Sequence, residues 1–214
     1  MSRMTSKGGT DMSRPLFIVF EGIDGCGKTT QLTRLADALK QKGRQVMTTA
    51  EPTDSTTGKL LRAALSGNDP RTPTEMAALF TLDRIHHNVS QNGIAATLRA
   101  GTDVISDRYY YSSLAYQGSL CDYDWVRRMN LNCPDIRKPD LCIFLDISPD
   151  TALARIGKRG EAKEIYEKKE TLSLFRETFL RVFASLDDRV EVIDAEGTPD
   201  EIATRVMAAV ETIL

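Results

Sequence analysis

Short strand-like runs recur along the chain, separated by longer segments of mixed polarity. They lie at residues 16–20, 45–49, 103–106, 141–145 and 190–193. Brief apolar-rich runs of this kind fit strands buried on both faces, as a parallel sheet requires. The intervening segments carry helix signals. Thr72-Pro73-Thr74-Glu75 and Thr198-Pro199-Asp200-Glu201 both have the shape of a capping box with proline at the first helical position. Residues 29–42 read as a helix that stops at Gly43, and one long helix is expected to run from the Thr72 box to a stop at Gly101. Strands alternating with helices predict an α/β fold in which helices flank a five-stranded parallel sheet. No repeat, low-complexity tract or Pro/Gly linker divides residues 14–214, which are expected to form a single domain. Residues 1–13, MSRMTSKGGTDMS, are polar and lack the apolar core of a signal peptide, and they are expected to be a disordered tail.

The first run leads directly into chemistry. Residues 16–29 read LFIVFEGIDGCGKT, and Gly22 through Gly27, Lys28 and Thr29 fit G-x-x-x-x-G-K-[ST] between a strand and a helix. Backbone N–H groups of such a loop converge on phosphate oxygens, and the positive end of the following helix faces them. Gly22, Ile23, Asp24, Gly25, Cys26, Gly27, Lys28, Thr29 and Thr30 are therefore the candidate ATP-binding loop. Lys28 supplies a cation for the β- and γ-phosphates, and Thr29 offers a hydroxyl to Mg²⁺. The competing reading is a chance Gly-rich turn, which the flanking strand and helix disfavour.

Composition narrows the partners. The chain has 214 residues, 41% apolar and 27% charged, an ordinary composition for a globular domain. Lys plus Arg number 28 against 30 Asp plus Glu, a net charge of -2, which argues against a nucleic-acid partner gripped by an overall basic surface. No apolar run approaches the roughly 18 residues of a membrane span, so no membrane partner is expected. Cys26, Cys121, Cys133 and Cys142 form no C-x-x-C pair and have no His partner for zinc. They read as reduced thiols of a cytoplasmic protein.

The third run ends in Asp107-Arg108. Ligands of an open parallel sheet bind at the carboxyl ends of its strands, so both residues should reach the edge that carries the loop. Arg108 can hold a phosphate bidentately, and Asp107 can bind Mg²⁺ through water or orient a cation; a surface salt bridge is the plainer alternative. Tyr109-Tyr110-Tyr111-Ser112-Ser113-Leu114-Ala115-Tyr116-Gln117 follows. Rings beside hydroxyls and an amide suit a nucleoside pocket. Tyr110 and Tyr111 are expected to be mostly structural, and Tyr116 and Gln117 to touch ligand. On the long helix, Phe80 and Arg84 are four apart and share a face, an aromatic surface for a base with a cation one turn away; a core Phe is the plainer reading. His86 and His87 have no metal-like partner and read as ordinary helix residues. Residues 155–169, RIGKRGEAKEIYEKK, read as a solvated charged stretch taken alone. With the phosphate loop upstream they read as a lid that brings cations to phosphates and excludes water.

Together these segments resemble the thymidylate kinase family of P-loop nucleoside monophosphate kinases. The resemblance spans about residues 15 to 212 and rests on FEGIDGCGKTTQ (20–31), EPT (51–53) with a Gly-Lys-x-x-Arg run (58–62), LFTLDR (79–84), DRYYYSSLAYQG (107–118), PDLCIFLD (139–146) and RGEAKEIYE (159–167). It implies a three-layer P-loop kinase fold with a short mobile lid at about 155–169. The implied reaction moves the γ-phosphoryl of ATP to dTMP, with Mg²⁺ as cofactor and ATP and dTMP as small-molecule substrates. By resemblance, Arg108 binds the acceptor phosphate and Asp24 approaches the acceptor's 3′-hydroxyl beside the reacting phosphates. Phe80 stacks on thymine and Arg84 reaches its carbonyl. Glu51 and Pro52 border the acceptor, Ser113 and Gln117 line the base pocket, and Tyr116 crowds C2′. Arg159, helped by Arg155 and Lys158, is the lid cation, and Tyr166 and Glu167 face nucleotide and metal. Residues 194–197 lie near adenine. Two departures stand out. Gly25 occupies a loop position where some relatives carry Arg, so the catalytic cation is expected from the lid. Ala50 precedes Glu-Pro where many carry Arg, which Arg62 or Arg108 would have to offset. A homodimer is implied by resemblance alone.

Other readings remain open at this point. One is a kinase for another acceptor, such as dUMP or a deoxynucleoside, since a single methyl is worth only about 1–3 kcal/mol of discrimination. Another is a nucleotide-dependent regulatory binding module, which would leave the Asp107–Gln117 block unexplained.

Overall fold

The computed structural model describes residues 14–159 and 168–214, the side chains of Lys158 and Arg159 excepted. Five strands, β1 (Phe17–Glu21), β2 (Val46–Ala50), β3 (Asp103–Asp107), β4 (Leu141–Asp146) and β5 (Val190–Asp194), form one sheet in the order β2-β3-β1-β4-β5, every neighbouring pair parallel. Each strand runs one residue beyond the apolar run that marks it in the sequence. The ladder continues through the last polar position, so four strands end on a carboxylate, Glu21, Asp107, Asp146 and Asp194. Central β1 lies between β3 and β4. Its carboxyl end is therefore the point where the strand order reverses, and a crevice forms there.

The first crossover is α1 (Lys28–Gln41), which buries Leu32, Leu35, Ala36 and Leu39 at helical spacing. It ends at Gly43, whose φ of 84° only glycine adopts without strain. Next come α2 (Thr56–Leu65) and α3 (Pro73–Val89), the latter opening on the expected capping box at Thr72. The single long helix anticipated up to Gly101 is two. The chain turns through Ser90 to Gly93 and restarts as α4 (Ile94–Arg99). A side chain at Gly93 would stand 2.4 Å from the His87 carbonyl oxygen, so the turn folds onto the end of α3 where only glycine fits. The local signal is the polar Ser90-Gln91-Asn92-Gly93, turn chemistry that the helical periodicity on either side masks.

Helices α5 (Tyr110–Ala115) and α6 (Tyr123–Leu131) follow β3. After β4 come α7 (Pro149–Arg159) and α8 (Lys169–Ala184), and α9 (Pro199–Glu211), with its own capping box, closes the domain. Helices α1 and α9 pack together on one side of the sheet, and α5 packs on α8 on the other. Phe144 of β4 lies 5.3 Å from Phe179 and 5.1 Å from Phe183 of α8, ring centre to ring centre, and Phe17 of β1 meets Tyr109 edge-on at 5.1 Å. Tyr110 and Tyr111 belong to this packing: both hydroxyls donate to Asp188, the one from Tyr111 at 2.6 Å. Among the described residues no helix is long and apolar enough to cross a membrane.

Candidate active site

Residues 22–27 turn from β1 into α1 over the carboxyl edge. The first turn of α1 holds no acidic residue, so its positive end is not neutralised locally. Lys28 is buried and its Nζ donates to the carbonyls of Gly22 at 3.1 Å and Ile23 at 3.4 Å. The ammonium is thus folded over the loop by groups that a phosphate oxygen can replace. Gly25 has φ 82°, and a Cβ there would stand 2.6 Å from the Ala152 carbonyl oxygen of α7. Helix α7 lies on the loop at the position where a loop arginine would have to emerge. Cys26 is buried beneath the loop, and burial pushes its thiol pKa up; it is packing, not a nucleophile.

Thr29 and Asp107 meet across the crevice, Thr29 Oγ1 donating to Asp107 Oδ2 at 3.4 Å. The other oxygen, Asp107 Oδ1, is buried with no hydrogen-bond partner. A hydroxyl beside an unsatisfied carboxylate oxygen fits a hard cation that completes its shell with substrate phosphates. Among the described residues no cluster of three His, Cys, Asp or Glu could hold a metal without such help.

Arg108 joins the two halves of the crevice. It is the one non-glycine described residue with positive φ, 69°, a conformation that persists where surroundings over-determine it. Its backbone N–H donates to Phe20 O at 2.9 Å. Its guanidinium pairs with Asp24 through Nη2, and Nη1 reaches Ser112 Oγ at 3.1 Å, Tyr116 Oη at 3.3 Å and Gly22 O at 3.4 Å. The guanidinium carbon lies 5.3 Å from the Tyr116 ring centre, within cation–π range. Phe175 and Phe179 of α8 wall Tyr116 in, their ring centres 4.3 and 5.6 Å away, and burial raises its phenol pKa. Asp24 and Lys28 from the Gly-rich loop, and Arg108 and Tyr116 from the block after β3, therefore share one crevice.

A network of buried charge lies beside the crevice. Arg84 is fully buried. Its Nε and Nη2 grip Glu51 Oε2 at 2.9 and 2.6 Å, and its Nη1 donates to Ser113 Oγ at 3.1 Å and Asn130 Oδ1 at 2.5 Å. Asn130 of α6 is fixed by its own Nδ2, which donates to Val126 O at 2.9 Å. The far oxygen of Glu51 meets His87 Nδ1 at 3.0 Å, and His87 Nε2 meets Thr49 Oγ1 at 2.7 Å. His87 is thus a buried member of the network, a correction to its reading as an ordinary helix residue. Phe80, one turn before Arg84, is half-buried against a small cluster of Leu61, Ala64 and Met76. Gln117 is buried in a 3-10 turn, Gln117–Ser119, and Pro52 is half-buried beside Glu51.

The loop bearing Pro52 is held from α3. Asp83 accepts from Thr53 N at 2.8 Å, Thr53 Oγ1 at 2.6 Å and Ser55 Oγ at 2.7 Å. Arg62 caps the same loop through the carbonyls of Pro52 and Thr53 at 2.7 and 2.6 Å, which commits it to structure there. Sequence reasoning passed over Asp83, His87, Asn130 and Ser112. The available signal was polarity on a buried face: Asp83, Arg84 and His87 adjoin on α3, and Asn130 lies one turn from Val126 on the buried face of α6.

Arg155 of α7 donates to Cys26 O at 3.3 Å, Ala195 O at 3.0 Å and Gly197 O at 3.3 Å. It ties the phosphate loop to the loop after β5. Tyr166 and Glu167 and the side chains of Lys158 and Arg159 lie outside the described residues, as does the tail 1–13.

A family model described as thymidylate kinase matches residues 20–206. The chain is 36% identical over 200 residues to the probable thymidylate kinase of Archaeoglobus fulgidus, covering 93% of this chain and 96% of that protein. It is 37% identical over 205 residues to the probable thymidylate kinase of Pyrococcus horikoshii, at 92% and 97% coverage. Against the thymidylate kinase of a Synechococcus strain it is 36% identical over 198 residues, at 92% and 94% coverage.

Proposed function

The chain belongs to the thymidylate kinase family, and from that premise we infer that it transfers the γ-phosphoryl group of ATP to dTMP, giving dTDP and ADP. The observation that carries this reading is the meeting of Lys28 and Arg108 at the Gly22 carbonyl, with Asp24 and Tyr116 against the Arg108 guanidinium. Phosphoryl transfer asks little covalent work of the protein; positioning and charge do most of it. The loop amides and Lys28 hold the donor phosphates, and Arg108 holds the acceptor phosphate in line with them. Asp24, paired to Arg108, fixes the direction of that guanidinium and lies where the acceptor sugar approaches. Thr29 and Asp107 are the residues that would hold Mg²⁺, with Glu167 as a further candidate from the lid. When bound with ATP, the ion supplies neutralisation of phosphate charge.

Phe80, Pro52, Ser113, Gln117 and the Glu51–Arg84 pair form the wall against which the base is read, and Tyr116 sets the space beside the sugar. Arg155, Lys158 and Arg159 are the lid cations, and Tyr166 serves the bound nucleotide. The contact between Gly25 and α7 supports a catalytic cation arriving from the lid. A homodimer is part of the proposal. Leu82 and Val89, seven apart on α3, are 53% and 54% exposed, and Leu60 of α2 is 42% exposed. Light scattering in solution would read the mass directly. Four unpaired thiols fit a cytoplasmic protein.

The test is ADP production from ATP and Mg²⁺ with dTMP, dUMP, UMP, dCMP, dGMP and thymidine as acceptors. Strong preference for dTMP is expected. Preference for another monophosphate would keep the kinase and overturn the base-wall assignment, and no acceptor-dependent turnover would overturn the kinase itself.

A further inference from the structure

One carboxylate beneath the phosphate crevice has no part in the chemistry just described. Glu21 ends β1 and is fully buried on the side of the sheet that α5 and α8 cover. Its Oε1 accepts the backbone N–H groups of Tyr109 at 2.9 Å and Ser112 at 3.1 Å, and its Oε2 accepts the Ser112 hydroxyl at 2.7 Å. The same Ser112 oxygen accepts Arg108 Nη1 at 3.1 Å. A continuous chain therefore runs Glu21–Ser112–Arg108–Asp24. The bond to Tyr109 N also ties down the residue that follows the strained backbone of Arg108.

Protons settle what the chain can do. Arg108 has no acceptor, so Ser112 must offer it a lone pair. With Glu21 ionised, the Ser112 proton points at Oε2 and the lone pair faces Arg108. With Glu21 neutral, Oε1 remains engaged by two N–H groups, so the acid proton sits on Oε2 and donates to Ser112. The serine proton must then leave that line, and the negative charge opposite Arg108 and Lys28 disappears.

We propose that Glu21 is a positioning residue for phosphoryl transfer, and that its carboxylate form orders Ser112 and, through Ser112, the guanidinium that receives the acceptor phosphate. This rests on the kinase reading above. The ionisable groups that face Glu21 are Arg108 after β3 and Lys28 on α1, which attract its charge, and Tyr116 after α5 and Cys142 on β4, which are neutral. Burial outweighs the two cations and pushes the Glu21 pKa up to about 7. The switch therefore falls in the neutral range.

The experiment compares kcat/KM for dTMP from pH 5.5 to 9 in the wild type and Glu21→Gln, with saturating ATP and Mg²⁺. Gln keeps the two backbone bonds and presents an N–H to Ser112, so it copies the neutral carboxyl. The acceptor phosphate titrates near pH 6 in both proteins, so the difference between them isolates residue 21. Beyond the shared phosphate titration, the wild type is expected to lose about tenfold in all as pH falls through about 7, along a limb that levels off at the Glu21→Gln rate. Glu21→Gln should lack that limb and run on the order of tenfold below the wild type at pH 8, as when a supporting hydrogen bond behind a ligand-binding group is lost. Ser112→Ala, which leaves Glu21 in place, should lose the limb as well. Identical limbs in wild type and Glu21→Gln, or equal rates at pH 8, would overturn the role of Glu21 while leaving the kinase intact. Absence of dTMP-dependent ADP from the wild type at every pH would overturn both.

Discussion

The donor loop and the acceptor wall share one edge of the sheet and are built in opposite ways. The candidate donor loop is six consecutive residues between β1 and α1, and what it offers a ligand is backbone N–H groups and one lysine. Its geometry depends on the absence of side chains, as at Gly25 against α7. The proposed acceptor wall draws Glu51, Arg84, Ser113 and Asn130 from four places in the chain and joins them by buried hydrogen bonds. A loop of the first kind binds any nucleoside triphosphate tail. A wall of the second kind presents one fixed shape and charge pattern, which is what choosing an acceptor requires. Arg108 belongs to both, gripping Gly22 and Asp24 on one side and Ser112 and Tyr116 on the other.

If the halves divide the work in this way, variants should separate by the quantity they change. The largest effect is expected at the charges facing phosphate. Lys28→Ala and Arg108→Ala should each lower kcat/KM by about two orders of magnitude or more, because each removes a cation from a water-poor site. Steady-state rates check this, and near-normal turnover in either variant would break the division at its centre. Arg84→Leu should act differently. It leaves Glu51 buried without its guanidinium partner, with only His87 in contact, a change that costs roughly 3–5 kcal/mol of folding stability. Urea unfolding would read that loss, and Lys28→Ala should show far less of it.

The third prediction concerns Glu21 and pH. Its carboxyl titrates near 4.5 in the unfolded chain and at about 7 in the fold. The raised value stabilises the fold fully below pH 4.5, and that stability is lost as pH rises to about 7. Glu21→Gln has no such titration. Its stability relative to the wild type should therefore rise across that window by an amount on the order of 3 kcal/mol and stay level above it. Melting curves at pH 5, 6, 7 and 8 follow this directly, and a constant difference would contradict the burial of an ionised Glu21. The smallest effect belongs to the support of the wall. Asp83→Ala removes the acceptor of three hydrogen bonds in the loop after β2 and should cost about 1–3 kcal/mol, with KM for dTMP raised and KM for ATP unchanged.

The same contrast explains what was legible in the sequence. The donor loop was readable almost residue by residue, because Gly22 through Thr29 specify their own conformation within a few positions. The five strands were placed with their ends one residue short, since apolar runs mark burial and the ladder continues into Glu21, Asp107, Asp146 and Asp194. The break between α3 and α4 was lost because helical periodicity on either side masks the polar turn that folds Gly93 back onto the end of α3. In the acceptor wall, charged residues such as Arg84 could be singled out, but not what they touch. Asn130 meets Arg84 across 46 positions and Glu51 meets it across 33, and no local periodicity encodes those distances. His87 read as ordinary because its partners, Glu51 and Thr49, are on another element.

The most direct test of the separation is Glu51→Gln, with KM measured for dTMP at saturating ATP and for ATP at saturating dTMP. The substitution keeps the size of the side chain and removes the charge that Arg84 and His87 share. The two-part site predicts that KM for dTMP rises about tenfold or more while KM for ATP moves less than about twofold. Equal rises in both, or a fall in kcat with neither KM changed, would contradict it.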